Sequence, residues 1–285
     1  MVVRVVTDST SDLPRDLAES LGVTVVPLKV HFGEETLRDG VDITAATFYQ
    51  RLKASSVLPT TSQPSPGEFE AVFRQVSRPG DAICAIVISS KLSGTYNSAL
   101  TAKNLVEGEI PIEVVDSELV AMALGLVVIR TARAAAAGAD LAECVRIARE
   151  TSAHTEILFF VDTLEYLRRG GRIGKASAFL GTLLNIKPML ALKGGEVVPV
   201  ERTRSRQKAL ERLEEWIRGH PRISALCVFS SPPGNEADHL ADRLQQAYPE
   251  VPLFRGTLGP VVGTHAGPGL VGAAVYSGPP LDTLP

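Results

Sequence analysis

The sequence contains little cysteine and no arrangement of thiols that suggests chemistry. Its three cysteines, at positions 84, 144 and 227, are odd in number, far apart and without a CxxC pair. A disulfide framework and a thiol redox motif are therefore excluded. Cys84 and Cys227 each lie in an apolar run typical of a strand, which predicts buried thiols in a reducing cytoplasm.

An excess of one charge, metal-ligand spacing and long hydrophobic runs are missing as well. The formal net charge is −3 over 285 residues, so no bulk field favours nucleic acid. The five histidines show no zinc-ligand spacing, so we expect no metal and no cofactor. No run approaches the roughly 18 apolar residues of a membrane span, and the first residues lack the layout of a signal peptide. We therefore expect a cytoplasmic protein, and a monomer.

What the sequence does contain is three short polar segments on an apolar-rich background. Residues 59–65, 89–98 and 263–269 are dense in small hydroxyl side chains, glycine or proline. Each segment adjoins a predicted strand or helix, where backbone N–H groups are left without partners. Hydroxyl groups together with free N–H groups are suited to holding a small anion, such as a carboxylate or a phosphate.

Hydrophobic periodicity predicts a first domain over residues 1–153 in which strands and helices alternate. The continuous apolar run over residues 82–88 is typical of a strand buried on both faces of a parallel sheet. Residues 65–68 form a capping box that opens an amphipathic helix. Further strands are predicted over residues 2–6, 23–30 and 112–115, and further helices from Pro14, after the cap Thr44, and over residues 98–106, 118–137 and 141–150. This alternation predicts an α/β fold with a doubly wound, mostly parallel sheet.

Three polar turns follow predicted strands of that sheet, at residues 7–12, 89–98 and 116–117. In doubly wound sheets ligands bind beyond the carboxyl ends of the strands, so these turns should gather at one edge. Capping and turn formation alone would explain any one of them. The hydroxyl density of residues 89–98 favours a binding site there.

Residues 154–285 show a different pattern, which predicts a smaller α+β domain with a mixed sheet. Strands are predicted over residues 157–161, 223–229 and 271–276, a hairpin over residues 189–201, and helices over residues 205–218 and 237–248. The glycines of residues 170–174 are expected to lead into a helix that ends at Leu184. A cleft between the two domains is then the default position for a ligand.

Residues 169–176 do not match the motif of a nucleotide-binding loop. A phosphate-binding loop ending at Gly174 and Lys175 would need a glycine at position 169 and a hydroxyl residue at position 176. The chain has Arg169 and Ala176 at those positions. A nucleotide site of this type is therefore disfavoured.

A serine hydrolase is an alternative that the residues leave open. Ser93 and His265 could act with Asp8 or Asp116 as the orienting acid. The chain contains no G-x-S-x-G elbow, however, and the hydroxyls around Ser93 suit an anion cradle better than a single nucleophile. An acyl hydrolase or transferase is kept as the second hypothesis.

Taken together, nine segments resemble the DegV family of bacterial fatty-acid-binding proteins, and they occur in order over the whole chain. They are residues 6–13, 39–43, 61–65, 89–95, 115–117, 164–173, 186–188, 202–203 and 265–269. The resemblance implies a two-domain protein that buries one long-chain fatty acid, such as palmitate or oleate, with its carboxylate near the domain junction. Burying about fifteen carbons is worth on the order of 12 kcal/mol before the costs of binding.

The resemblance also implies roles for individual residues. By position, Thr61 and Ser93 would donate hydroxyl hydrogen bonds to the carboxylate. Ser62 and Gly94 would help through their backbone N–H groups, and His265 would lie near the head group. Uncharged donors hold a carboxylate without a buried countercharge, so several hydrogen bonds must offset its desolvation.

A partner is implied as well. In the better-studied branch of the family, the carrier presents its acid to a separate ATP-dependent fatty acid kinase, which makes an acyl phosphate for phospholipid synthesis. Arg172 and Arg202 would contact the phosphate or that kinase. The protein itself would be a carrier without catalysis, in transient contact with a membrane surface at most. A third hypothesis is an adaptor whose basic segments, residues 168–172 and 202–208, bind a partner while any lipid is incidental.

Overall fold

The computed structural model describes residues 2–181 and 186–281 of the chain. Over these residues it contains thirteen β-strands and ten α-helices. The strands are β1 (Val3–Asp8), β2 (Thr24–Val26), β3 (Lys29–Phe32), β4 (Glu35–Arg38), β5 (Thr60–Ser62), β6 (Ala82–Val87), β7 (Ile112–Asp116), β8 (Thr155–Phe160), β9 (Lys187–Lys193), β10 (Glu196–Thr203), β11 (Ala225–Ser230), β12 (Leu253–Thr257) and β13 (Val271–Tyr276). The helices are α1 (Arg15–Ser20), α2 (Ala45–Ala54), α3 (Pro66–Val76), α4 (Thr95–Leu105), α5 (Ala121–Ala136), α6 (Leu141–Ala153), α7 (Glu165–Arg169), α8 (Arg206–Arg218), α9 (Glu236–Ala247) and α10 (Pro260–Ala266).

The first half forms the predicted doubly wound α/β layer. Its four strands pair in the order β2-β1-β6-β7, and every pair is parallel. Helices α3 and α4 pack on one face of this sheet, and α5 and α6 pack on the other. All six residues of β6 are buried because both faces are covered, which explains its continuous apolar sequence. The predicted caps of α2 and α3, Thr44 and Ser65, are both present as capping boxes.

One predicted strand, over residues 23–30, is wrong. The structure divides it into β2, which lies in the parallel sheet, and β3, which lies in a separate antiparallel sheet with the order β4-β3-β5. Pro27 separates the two strands, because proline has no N–H to donate to a continuous ladder. The next residue, Leu28, donates its N–H to the hydroxyl of Ser9 instead, at 3.0 Å.

The second half forms the predicted mixed sheet, with six strands in the order β10-β9-β8-β13-β11-β12. Only β11 and β12 run parallel, and the other neighbours are antiparallel. Helices α8 and α9 cover one face. The other face packs against α5, which is therefore buried on nearly all sides between the two large sheets. All strands of the four-stranded and three-stranded sheets precede residue 154. The predicted domain boundary between residues 153 and 154 stays a prediction.

Several element boundaries differ from the prediction. Helix α5 begins at Ala121 rather than at residue 118, because Glu118 has a positive φ angle of 55° and Val120 is extended, with φ −154° and ψ 167°. Residues 260–266 form α10, where the glycine-rich sequence predicted a loop. Strand β12 was not predicted. The helix expected to reach Leu184 is a 3-10 helix over Gly174–Phe179, and Leu184 itself lies outside the described residues. Cys84, Cys144 and Cys227 are buried free thiols.

The β9–β10 hairpin is confirmed, and its tip joins the two halves of the chain. Gly194 and Gly195 turn the chain with positive φ angles of 56° and 76°. The Ser89 hydroxyl, at the end of β6, donates to the Gly195 carbonyl at 2.7 Å. A Cβ on Gly195 would lie 2.3 Å from that hydroxyl oxygen, so the close approach requires glycine. The hairpin is thereby held beside the loop that carries Ser93.

Replacing Gly272 tests how tightly the core of the six-stranded sheet is packed. A Cβ at this position in β13 would lie 2.6 Å from the Phe229 ring and 2.7 Å from Cβ of Phe159. We expect Gly272→Ala to lower the free energy of unfolding by about 1–3 kcal/mol, because buried rings would have to move. Urea denaturation measures the change. The matched control is Gly67→Ala in α3, where a Cβ meets nothing within 4 Å and should have no cost. Equal stability of the two variants would contradict the close packing of Gly272 against Phe229 and Phe159.

Candidate functional site

A cavity opens at the carboxyl ends of β1 and β6, where the strand order of the parallel sheet reverses. Thr10 and Ile88, which follow these two strands, line its wall. The space between its wall atoms, with open solvent at the mouth included, is about 820 Å³. This is the position at which doubly wound sheets bind their ligands. Its walls come from both halves of the chain, as a cleft between two predicted domains requires.

Most of the cavity wall is apolar. The six-stranded sheet contributes Phe159, Leu192 and Phe229, among others. Val120 and Ala121, at the start of α5, close the side that faces the parallel sheet. A pocket with this lining suits an apolar ligand of extended size rather than a sugar or a nucleotide.

The polar groups gather at one end of the cavity. Thr61, Ser93 and His265 all line it there, together with Gln63 and Arg172. Thr61 Oγ1 lies 2.7 Å from His265 Nε2, across 204 residues of sequence. Residues from all three polar segments, 59–65, 89–98 and 263–269, therefore line the same cavity. Two of these segments lie in the first half of the chain and one in the second.

Strand β5 explains why Thr61 points into the cavity and Ser62 does not. Successive side chains of a strand lie on opposite faces, so Thr61 and Gln63 share the cavity face. The Ser62 hydroxyl instead lies 2.8 Å from Nε2 of His31, on the other face. The expected contribution of Ser62 through its backbone N–H stays a prediction. Gln63 was not proposed as a site residue, although its spacing of two from Thr61 would have identified it.

Ser93 and Gly94 lie where the loop after β6 enters α4. The Ser93 hydroxyl lies 2.9 Å from Oγ1 of Thr95 and accepts the Thr95 N–H at 3.3 Å. Gly94 precedes the first residue of α4, where helix N–H groups have no intrahelical partner. A Cβ on Gly94 would lie 2.8 Å from the Gln63 amide nitrogen, so glycine permits the close approach of β5 to this loop.

The two candidate arginines are placed differently. Arg172 lines the cavity, and its Nε and Nη1 donate to the carbonyls of Leu92 and Gly170 at 3.0 and 2.6 Å. Arg202 is exposed, with its guanidinium 4.4 Å from the centre of the Phe179 ring. It is not part of the cavity wall. The structure therefore brings only Arg172 to the polar end.

A second depression lies outside the polar end and shares part of its wall. Thr61, Arg172 and His265 line both the cavity and this depression, whose outer wall includes Tyr166 and Arg169. A ligand group held by the shared residues would thus have the apolar cavity on one side. On its other side it would face the depression, whose wall includes Arg169 and Tyr166.

His265 is neutral in this environment. Burial and the positive charge of Arg172 lower the pKa of its imidazole to about 4. Its Nδ1 is buried with no hydrogen-bond partner among the described residues, and a Cβ on Gly170 would lie 2.2 Å from that atom. Because Nε2 is beside Thr61, the ring can hold the Thr61 hydroxyl in place without adding a charge to the site.

The described residues do not form a hydrolase triad. His265 contacts Thr61, and no hydrogen bond joins it to Ser93. Asp8 accepts hydrogen bonds from Thr10 and from the Ile88 N–H, and no acid contacts the free Nδ1 of His265. The expected nucleophile therefore lacks a base, and the base lacks an orienting group.

A buried pair of carboxyl groups, which the sequence did not single out, lies at the start of α10. Asp12 Oδ1 accepts the N–H of Gly259 at 3.0 Å. Asp39 accepts the hydroxyl of Ser9 at 3.0 Å, and a Cβ on Gly259 would lie 3.4 Å from its Oδ1. Burial raises the pKa of Asp39 to about 7, and burial together with the Asp39 charge raises the pKa of Asp12 well above its usual value. Nothing local in the sequence shows that these acids meet a helix more than two hundred residues away.

Two features are absent from residues 2–181 and 186–281. No group of three or more histidine, cysteine, aspartate or glutamate side chains there is arranged to hold a metal ion. No helix in these ranges has the length and apolar character needed to cross a bilayer.

Comparison with known proteins places the chain among others of similar architecture. A model of the DegV family, described as uncharacterised proteins, matches residues 2–278. A DegV domain-containing protein of Streptomyces coelicolor is 40% identical over 281 residues, covering 96% of this chain and 98% of that protein. A DegV family protein of Thermus thermophilus, whose structure is described as fatty-acid binding, is 38% identical with a TM-score of 0.87, covering 97% of this chain and 100% of that one. DegV of Bacillus subtilis, described as a fatty-acid-binding protein, is 33% identical with a TM-score of 0.89, covering 98% and 100%.

The pKa of Asp39 predicts how stability depends on pH. Because folding raises this pKa from 3.8 to about 7, the protonated form stabilises the fold, and that stabilisation is lost as pH rises through 7. Between pH 6 and pH 8.5 we expect the wild type to lose about 1 kcal/mol of unfolding free energy relative to Asp39→Asn. Urea denaturation at both pH values measures the difference.

Asp42→Asn is the matched control for this experiment. Hydrogen bonds from Arg38 lower the pKa of the exposed Asp42 carboxyl to about 2, so that group stays ionised throughout the pH range. Its replacement should leave the pH dependence unchanged. Parallel curves for the wild type and Asp39→Asn would show that Asp39 does not titrate in this range.

Proposed function

Because the chain belongs to the DegV family, we propose that it binds a long-chain fatty acid, such as palmitate or oleate, in the cavity between its two large sheets. The observation that carries this proposal is an apolar cavity that ends in a cluster of uncharged hydrogen-bond donors. The two structural relatives described above as fatty-acid binding have the same fold over nearly the whole chain, which supports it.

The tail would lie among the apolar side chains of both halves. Phe159, Leu192 and Phe229 offer it a wall without polar groups. Each buried CH₂ contributes roughly 0.8 kcal/mol, so the tail supplies most of the affinity. Chain length and saturation would then depend on the shape of the closed end, whereas the head group would fix the orientation of the ligand.

The carboxylate would lie at the polar end, held by Thr61 and Ser93. With its proton on Nε2, His265 would donate to the Thr61 oxygen and leave the Thr61 hydroxyl hydrogen free for the ligand. The start of α4, at Gly94, would add backbone N–H groups to the same anion. Arg172 would supply a positive charge near the mouth, held in place by its two carbonyl contacts.

The same geometry supports presentation of the acid to a second protein. Thr61, Arg172 and His265 separate the buried cavity from the outer depression, so a carboxylate bound between them faces outward. A separate ATP-dependent kinase could then transfer the γ-phosphoryl group of ATP to a carboxylate oxygen, giving an acyl phosphate and ADP. In this scheme the protein is a cytoplasmic carrier, and Arg169, Arg172 and the exposed Arg202 contact the phosphate or the kinase.

Removing the two hydroxyl donors tests the binding site. Thr61→Val combined with Ser93→Ala should weaken oleate binding by at least about 100-fold, because each of the two lost bonds to a charged group costs about 1.5–3 kcal/mol. Native mass spectrometry of the purified wild type should show a bound fatty acid, and titration calorimetry with oleate measures the affinities.

Ser62→Ala is the matched control, since its hydroxyl contacts His31 on the opposite face of β5 and its backbone N–H is retained. It should bind oleate as the wild type does. A wild-type protein that carries no lipid and ignores added palmitate and oleate would refute the proposed function.

Reversing charge at the mouth tests presentation to a kinase. Arg172→Glu and Arg202→Glu should each reduce ATP consumption by a purified bacterial fatty acid kinase supplied with the oleate-loaded protein, by at least about tenfold if a charge-assisted contact is lost. Arg218→Glu, on the exposed surface of α8, is the control and should have no effect. Full kinase activity with both variants would show that neither arginine contacts the kinase or the phosphate.

A further inference from the structure

Helix α10 carries His265 to the head-group end of the cavity but is too short to hold its own position. It has seven residues, over Pro260–Ala266, and isolated helices of that length are not stable in water. Val261, Val262 and Ala266 of the same helix also line the cavity. What fixes this helix therefore fixes part of the site.

Two carboxyl groups from the first half of the chain bind the beginning of α10. Pro260 has no N–H, so the first backbone donors available are those of Gly259 and Val261. Asp12 accepts the first at 3.0 Å, and Asp39 packs beside it, since a Cβ on Gly259 would lie 3.4 Å from Asp39 Oδ1. Carboxyl oxygens are well suited to this position, because the N–H groups of a helix start are otherwise unpaired.

The carboxyl groups are themselves held in place. Ser9 donates its hydroxyl to Asp39 at 3.0 Å and accepts the N–H of Leu28 at 3.0 Å, which ties Asp39 to the start of β3. The backbone at Gly259 approaches so closely that a Cβ there would lie 2.7 Å from Asp12 Oδ1. The start of α10 thus packs directly against the Asp12 and Asp39 side chains.

The middle and the end of α10 are packed just as closely. A Cβ on Gly263 would lie 2.4 Å from the Tyr49 hydroxyl and 2.8 Å from the Phe48 ring. One residue before the helix ends, His265 Nε2 lies 2.7 Å from Thr61 Oγ1. A displacement at the start of so short a helix would therefore be transmitted to His265.

We infer that Asp12 and Asp39 are positioning residues that hold α10 in place and so keep His265 beside Thr61. The inference rests on the proposed function for its consequence in binding, because a misplaced His265 would leave the Thr61 hydroxyl wrongly oriented for a carboxylate. Neither acid touches the ligand in this scheme, since neither lines the cavity.

A double-mutant cycle tests whether the effect passes through His265. Asp39→Ala should weaken oleate binding about tenfold, because the start of α10 loses the side chain that packs beside Gly259. In the His265→Ala background, Asp39→Ala should weaken binding by less than about twofold, since the residue it positions is gone. An equal loss in both backgrounds, or no loss in the wild type, would overturn the inference.

Two further variants test whether a loss of affinity comes from general unfolding rather than from a displaced α10. Ser9→Ala removes the hydroxyl that holds Asp39 and accepts the Leu28 N–H, and it should also weaken oleate binding less in the His265→Ala background than in the wild type. Asp16→Ala changes an exposed acid on α1 and should leave affinity unchanged. Melting temperatures of all variants are measured alongside the affinities.

The nitrogen resonances of the His265 ring separate this inference from the proposed function. In ligand-free, ¹⁵N-histidine-labelled protein they should shift in Asp39→Ala and not in Asp16→Ala, whether or not any acid binds. Unchanged resonances in Asp39→Ala would overturn the positioning role. If the wild type does not bind oleate but the His265 resonances still differ between the wild type and Asp39→Ala, only the proposed function is refuted.

Discussion

The hydrogen bond between Thr61 and His265 is the contact on which the polar end of the cavity depends. It joins residues 204 positions apart, one on a short edge strand and one on a seven-residue helix. Neither element is stable alone, so each contributes to the site only because the rest of the fold brings them together. The close approaches at Gly94, Gly170 and Gly263 serve this same convergence, since a side chain at any of them would separate the segments.

The charge balance of the site follows from its burial. An isolated carboxylate would be costly to transfer from water into an apolar cavity, and a buried countercharge would itself be costly without a ligand. Hydroxyls, a neutral imidazole and backbone N–H groups avoid the second cost. The one arginine at the cavity wall is fixed by two backbone carbonyls and stands at the mouth, where solvent reduces the penalty. Such a site would bind an acid without trapping it permanently, as the proposed carrier role requires.

The sequence predicts those parts of the structure that local rules determine. The capping box at Ser65, the buried run of β6 and the glycine turn of the β9–β10 hairpin all follow from neighbouring residues, and the structure confirms them. The break at Pro27 was missed because the apolar pattern continues across it. Helix α10 and the partners of Asp12 were missed because their stabilising contacts come from residues far away in the chain. The grouping of Thr61, Ser93 and His265 came from resemblance, since no spacing rule joins three segments so distant.

Helix α5 lies between the two large sheets and contributes apolar side chains to the core on both of its sides. Residues 1–153 made alone would leave one full side of this helix in water, and such exposed apolar surface promotes aggregation. Residues 154–281 alone would lose the cover of one sheet face in the same way. The two halves are therefore partners in one folding reaction. A circularly permuted chain would tolerate new ends at an exposed turn, whereas a chain cut beside α5 would not yield two working parts.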